Sequence, residues 1–307
     1  MTTFVDGPVR VSVPATSANL GPGFDSLGLA LAHRDRLEAV VLGPAGPGGP
    51  SVEVEVRGEG AATLPRGRDH LVVQAMEAAF AALGVGAPDL RLTCHNVIPQ
   101  ARGMGSSSAA IVGGLGLARA LVPDGADRLD DDALLAMAAR IEGHPDNVAP
   151  ALLGGFVVSG HDDGVWWAVP APVDPRVRAV VLVPPDPVPT ELARGLLPTT
   201  VPLAEAAADA GRTALLVAAL GGSVEHLWRG TRDHLHQEHR RPAMPATLEM
   251  VDRLRARGVA AAVSGAGPTV IALVTDEADS ASVLADAPES WGSWALDVDP
   301  RGLVVEV

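Results

Sequence analysis

Lysine is absent from all 307 residues, so each of the 23 basic side chains is an arginine. That absence removes whole mechanisms: a phosphate-loop lysine, a kinase-type strand lysine and a Schiff-base lysine are all excluded. Any phosphate bound here must be met by arginine, backbone N–H groups, helix amino ends or a metal. The single cysteine, Cys94, excludes an internal disulfide and a cysteine-built zinc site, and is expected to pack as a small apolar side chain. The opening residues, MTTFVDGPVR, carry neither a basic segment nor an apolar one. The longest apolar runs, such as Ala214 to Leu220, are far shorter than a membrane span. A cytoplasmic protein is the expectation. A formal charge of −14 disfavours nucleic acid and anionic membranes as partners.

The content that remains, 47% hydrophobic and 20% charged, belongs to a globular chain rather than a disordered one. The length fits one large domain or two ordinary ones. Strands are expected at Val9–Val13, Arg36–Leu42, Ser51–Arg57 and Leu90–Cys94; Val52, Val54 and Val56 alternate with charged residues. Helices are expected at Leu71–Leu83, Ser106–Leu121 and Asp131–Ile141. Composition shifts near His161 to Gly164, which suggests domains at 1–163 and 164–307. The second would hold strands at Trp166–Val169, Arg178–Val183, Val259–Val263, Pro268–Val274 and Leu303–Val307, with helices across most of Thr190 to Arg257. Strands and helices mix without strict alternation, so the class is α+β.

Four segments carry chemistry. PQARGMGSSSAA (Pro99 to Ala110) leads from a strand into an apolar helix. Its glycines permit a tight turn, and a helix amino end offers N–H donors and a positive dipole to an anion. Phosphate suits it, with a serine hydroxyl placed for Mg²⁺; an ordinary serine-capped helix is the plainer alternative. PATSANLGPGFDSLG (Pro14 to Gly28) sets Asn19 and Asp25 on a Pro/Gly frame, where they bind a polar cation or form a structural turn. EGHPDN (Glu142 to Asn147) puts carboxylates at a helix carboxyl end, which invites a metal or ammonium partner; a solvated turn is the plainer alternative. SGAGPT (Ser264 to Thr269) permits close backbone approach, or is a tight hairpin.

In this order and at these separations, the four segments resemble the motif set of the GHMP kinases. Within that superfamily PATSANLGPGFD and HPDNVAPALLGG resemble the homoserine kinases, and the likeness runs from about residue 9 to the end. The resemblance implies an N-terminal domain like ribosomal protein S5 domain 2 and a ferredoxin-like C-terminal domain, with the active site between them. It implies phosphorylation of the L-homoserine hydroxyl by ATP with Mg²⁺, in threonine biosynthesis. Pro99, Gln100, Ala101, Arg102, Gly103, Met104, Gly105, Ser106, Ser107, Ser108 and Ala109 would wrap the ATP phosphates. Ser107, with Ser106 the second choice, and Glu142 would hold Mg²⁺. Asn19, Asp25, His144, Asp146, Asn147, Arg194 and Arg240 would line the homoserine pocket. The two arginines, in PTELARGLLP and LHQEHR, would meet the amino-acid carboxylate or the γ-phosphate.

Asp146, Asn147 and Arg194 are the catalytic candidates. By position in mevalonate-type relatives Asp146 is a base, whereas the neighbouring Asn147 fits direct attack without one. Met104 replaces a usual Leu, Ser108 a usual Ala, and His70 stands where an Asn often contacts adenine. His234, His236 and His239 do not suggest a metal, because on a helix residues two apart do not share a face. The rivals are another GHMP kinase, of mevalonate, sugar or shikimate type, and a non-catalytic nucleotide-binding protein. The expected partners are small molecules, with a homodimer one form the assembly could take.

Overall fold

The computed structural model describes residues 4–306; Met1–Thr3 of the opening segment and Val307, the last residue of the strand expected at Leu303–Val307, lie outside them. Two sheets organise the chain. The first has seven strands: β1 (Val9–Ala18), β2 (Leu27–Gly43), β3 (Val52–Gly58), β4 (Asp89–Asn96), β5 (Phe156–Asp162), β6 (Val165–Ala171) and, from the far end of the chain, β11 (Val304–Glu306). Only β3 and β4 pair in parallel. The 17-residue β2 pairs β1 along one edge; along the other its carboxyl part pairs β4 and its first residues pair β5. Helices Leu71–Ala82, Ser106–Leu121, Asp131–Glu142 and Val148–Leu153 bury their apolar faces in one core with this sheet.

The second sheet holds β7 (Arg178–Val183), β8 (Ala260–Val263), β9 (Val270–Val274) and β10 (Gly292–Asp297), in the order β10-β7-β9-β8, all antiparallel. With helices after β7 and helix Glu277–Ala285 before β10, this is the β-α-β-β-α-β pattern of a ferredoxin-like unit. Helix Pro245–Ala256 covers one face. Ala179, Val181 and Leu273 on the other face join the core of the first unit. Among the described residues no helix is long and apolar enough to cross a membrane.

The boundary expected between residues 163 and 164 falls inside the β5–β6 hairpin. Asp163 and Gly164 both have positive φ, 52° and 83°. They form the two-residue turn that joins right-twisted strands, so the composition shift marks a turn rather than a linker. By sheet membership we place the division after Ala171, with β11 returning to the first unit. The region Thr190–Arg257 holds separate helices at Thr190–Gly195, Leu203–Leu220, Leu227–Gly230 and Pro245–Ala256. LHQEHR lies outside them, in a turn and a 3₁₀ segment, Glu238–Ala243. His236 is buried there and His239 exposed, so the histidines diverge because of the turn rather than helical spacing.

Candidate active site

Between the two units lies a cavity of about 320 Å³. One wall is the loop from Pro99 to Ser107, continued by Ala109. Gly103 and Gly105 have φ of 75° and 70°, a region costly to other residues. Close approach adds a second reason. A Cβ on Gly103 would overlap the Ser264 carbonyl, and one on Gly105 would overlap the Thr16 hydroxyl rather than obstruct the cavity. Gly105 is the residue before helix Ser106–Leu121, and no side chain caps that helix. The plainer alternative, a serine-capped helix, is therefore not what Ser107 and Ser108 form. Ser107 Oγ donates to Glu142 Oε1 at 2.6 Å, and the buried Ser108 Oγ donates to the same oxygen at 3.0 Å. The first N–H groups of the helix thus have no side-chain acceptor and remain available to an anion.

Other loop residues differ from expectation in what they offer. Ser108 does not line the cavity. Met104 is wholly buried and contributes through its backbone, its carbonyl accepting the Thr16 N–H at 3.0 Å. The Arg102 guanidinium donates to the carbonyls of Gln100 and Pro184, at 2.7 and 3.0 Å, and to that of Pro185. It ties the loop to the second unit instead of offering a free cation. Ser264 reinforces that tie, donating to Gly103 O at 2.6 Å. At the far end of the same wall stand Leu64, His70, Leu71 and Asn96. His70 Nδ1 accepts the Val72 N–H at 3.3 Å, so its proton belongs on Nε2, which has no partner among the described residues. Burial keeps that ring neutral by lowering its pKa.

Asp35 was not anticipated. It sits at an inward position of β2, with Leu37 and Ala39, and its Oδ1 accepts the N–H groups of Val97 and Ile98 at 2.7 and 3.0 Å. It thus anchors the chain just before Pro99. A charged residue on the inward parity of a strand was the available signal. Burial raises its pKa from 3.8 to about 6, against the pull of the two N–H donors. The folded state therefore holds this proton more tightly than the unfolded chain, and the group's own contribution to stability falls as pH rises from about 4 to 6. Asp35→Asn retains the acceptor and removes the buried charge. It is expected to raise Tm by a few degrees near pH 7.5, with the gain fading towards pH 4. A lower Tm near pH 7.5 in paired thermal melts would count against this account.

The other end of the cavity is charged. Asn19, His144, Asp146, Asn147, Arg194 and Arg240 all line it. Asn19, held at φ 67°, donates to Gly265 O at 2.9 Å and accepts the Asp25 N–H at 2.9 Å. Thr16, another residue the sequence did not single out, donates to Asn147 Oδ1 at 2.8 Å. With that oxygen taken, the Asn147 amide presents its N–H donors to the cavity. His144 Nδ1 and the buried Asp146 Oδ1 are 2.6 Å apart. Burial works against a charged His144 ring, but the bond to Asp146 and its charge outweigh it, and the pKa stands above the ordinary value.

Asp25 and Arg194, expected to meet opposite charges of a ligand separately, are bonded to each other. Arg194 donates from both terminal nitrogens, at 2.7 and 3.1 Å, across the two units. Asp25 lies off the cavity wall and Arg194 on it. Arg240 is different: it is 1% exposed, with no carboxylate in ion-pairing distance among the described residues. Its Nη1 meets His236 Nδ1 and Gly265 O, both at 3.0 Å, and its Nε has no partner among the described residues. Burial, then repulsion from Arg194, pushes its pKa down to about 10. His236 Nε2 donates to Gly21 O at 2.8 Å, which leaves Nδ1 as acceptor for Arg240. A buried guanidinium without an anion implies that a ligand brings one.

Residues 70–155 match the family model described as GHMP kinases N terminal domain, and residues 204–292 that described as GHMP kinases C terminal. The two-unit fold, with a Gly/Ser loop facing a charged pocket, thus defines a small-molecule kinase of the GHMP class. A homoserine kinase of Streptomyces avermitilis is 50% identical over 97% of this chain and 95% of its own. One of Corynebacterium diphtheriae is 46% identical over 95% of this chain and 93% of its own. By these likenesses the chain belongs to the homoserine kinase family. A crystal structure of homoserine kinase from Cytophaga hutchinsonii superposes with a TM-score of 0.86 at 26% identity, covering 100% of this chain and 99% of that one. Mevalonate kinase of L. major, in complex with R-mevalonate, shares the fold at a TM-score of 0.69 and 17% identity, covering 98% of each chain.

Proposed function

We propose that this chain transfers the γ-phosphoryl group of ATP to the hydroxyl of L-homoserine, yielding ADP and O-phospho-L-homoserine, the step at which homoserine enters threonine biosynthesis. The observation that carries it is one cavity with a Gly/Ser loop and an uncapped helix start at one end and, at the other, a buried guanidinium without a carboxylate and an Asp–His pair. The loop N–H groups and the start of helix Ser106–Leu121 hold the phosphates. Leu64, Leu71 and His70 flank the base. Arg240 and the outer N–H groups of Arg194 take the substrate carboxylate, while the Asn19 side-chain oxygen faces its ammonium and Asp25, off the wall and paired with Arg194, adds its negative charge nearby.

Mg²⁺ fits the donors present. Ser107 and Glu142 offer hard oxygen ligands, and both hydroxyl bonds fall on Oε1, leaving Oε2 free of them. Among the described residues no group of three or more His, Cys, Asp or Glu could hold a metal unaided. That suits an ion shared between a carboxylate and substrate phosphates. When bound, it would neutralise charge on the transferring group.

Phosphoryl transfer needs positioning and charge neutralisation more than a nucleophile generated by deprotonation. Asn147 cannot act as a base; its N–H groups orient the substrate hydroxyl or a γ-phosphate oxygen. Asp146 Oδ1 is already engaged by His144 Nδ1 at 2.6 Å, so it orients rather than abstracts. Direct attack by the homoserine hydroxyl follows, with a bond from its oxygen to the γ-phosphorus replacing the bond to ADP and the hydroxyl proton passing to an oxygen of the transferring phosphoryl group. Phosphorus NMR of a reaction with ATP and L-homoserine tests this reading. A phosphomonoester of homoserine is expected; ATP turnover with mevalonate but not homoserine would overturn it.

A further inference from the structure

Phe24 is the one aromatic side chain on the turn from Gly21 to Asp25 and stands off the cavity wall. Three side chains from other elements converge on its ring. The guanidinium carbons of Arg194 and Arg240 lie 5.6 and 5.7 Å from its centroid. The His236 imidazole lies 5.3 Å away, its plane tilted by 32°. The turn is held on two further sides: His236 donates to Gly21 O, and Arg194 grips Asp25. Two like charges therefore share one neutral acceptor. Both point to the same cavity, and one of them has no carboxylate partner among the described residues.

Two guanidiniums directed at one site repel each other, and a buried carboxylate placed between them would compete with the ligand. An aromatic face is attractive to cations yet carries no net charge. It steadies both arginines without occupying the N–H donors a carboxylate needs. We infer that Phe24 is a positioning residue for amino-acid binding, its ring holding Arg194 and Arg240 side by side so that both meet one carboxylate. The inference rests on the reading that this cavity takes homoserine.

Shape and charge can be separated by replacing Phe24 with phenylalanines of increasing ring fluorination, which drains electron density from the ring face at nearly constant size. The expected result is a KM for L-homoserine that climbs steadily along the series, to about tenfold at full fluorination, with KM for ATP and Tm unchanged. Phe24→Leu should show a similar rise, and Phe24→Tyr should restore KM to within about twofold. A flat homoserine KM across the fluorinated series overturns the role of Phe24, as does a parallel rise in both substrates' KM. If the unmodified chain fails to phosphorylate homoserine, the substrate reading falls first and this inference with it.

Discussion

L-Homoserine is expected to exceed both mevalonate and galactose by at least ~10³-fold in kcat/KM. The reason lies in what the site would leave unpaired. Arg240 is buried without an anion, and the Asp25–Arg194 pair sets opposite charges side by side. Arg194 has five N–H donors and gives two to Asp25, so a carboxylate can join it without breaking the pair. Asp25 is one-third exposed and keeps lone pairs for an ammonium. A ligand with both charges on one carbon matches that dipole. Mevalonate has a carboxylate and no ammonium; galactose has neither. Each leaves desolvated charge without a partner, the situation in which polar sites discriminate most strongly. Steady-state kinetics on the three alcohols decides it, and mevalonate or galactose turning over within tenfold of homoserine would end the assignment. Asp25→Asn should weaken homoserine far more than ATP, since it removes the ammonium's partner and loosens Arg194.

Glu142→Ala is expected to lower kcat/KM by ~10² to 10³-fold, the scale of a lost electrostatic contact to developing charge. Glu142 is the last residue of its helix, followed by Gly143 at φ 91°, where the dipole opposes a carboxylate. Among the described residues its partners are two hydroxyls and no cation. A carboxylate kept in such a place favours a metal-bearing ligand. Alanine would also strand the buried Ser108 hydroxyl, so a loss of activity alone is ambiguous. Glu142→Gln resolves this: the amide oxygen still accepts both hydroxyls, and only the charge is gone. Tm should be preserved in the Gln variant while kcat/KM falls nearly as far. A Gln variant with near-normal turnover at saturating Mg²⁺ would remove Glu142 from the metal site.

Particular elements show what a linear reading reaches. Helix Ser106–Leu121 and strand β7 coincide with expectation because their apolar patterns are long and end at clear breaks. β5 was missed, and its hairpin partner β6 was assigned to the wrong unit, because the Asp163–Gly164 turn read as a change of composition. β10 was missed as well; its six residues mix Gly, Ser and Trp without a strong alternation. β11 joins β1 across almost the whole chain, a pairing no local pattern announces.

The same division runs through the site. Motif spacing sufficed to nominate the phosphate loop, Glu142 and His144–Asn147, because each constrains its own few residues: a glycine where φ is positive, a serine at a helix start, a carboxylate at a helix end; Arg194 and Arg240 came only from the family resemblance. What each side chain would touch could not be read that way. Arg102 turned to carbonyls of the second unit, Ser108 to Glu142, Arg194 to Asp25, and Arg240 to His236. Each of these partners lies on another element, apart from the local pair in LHQEHR. Local conformation follows from short-range sterics and periodicity, which the chain order carries. Partner choice follows from burial, because an interior leaves few alternatives to water for a polar group. Which groups share that interior is settled only when the two sheets close around the cavity.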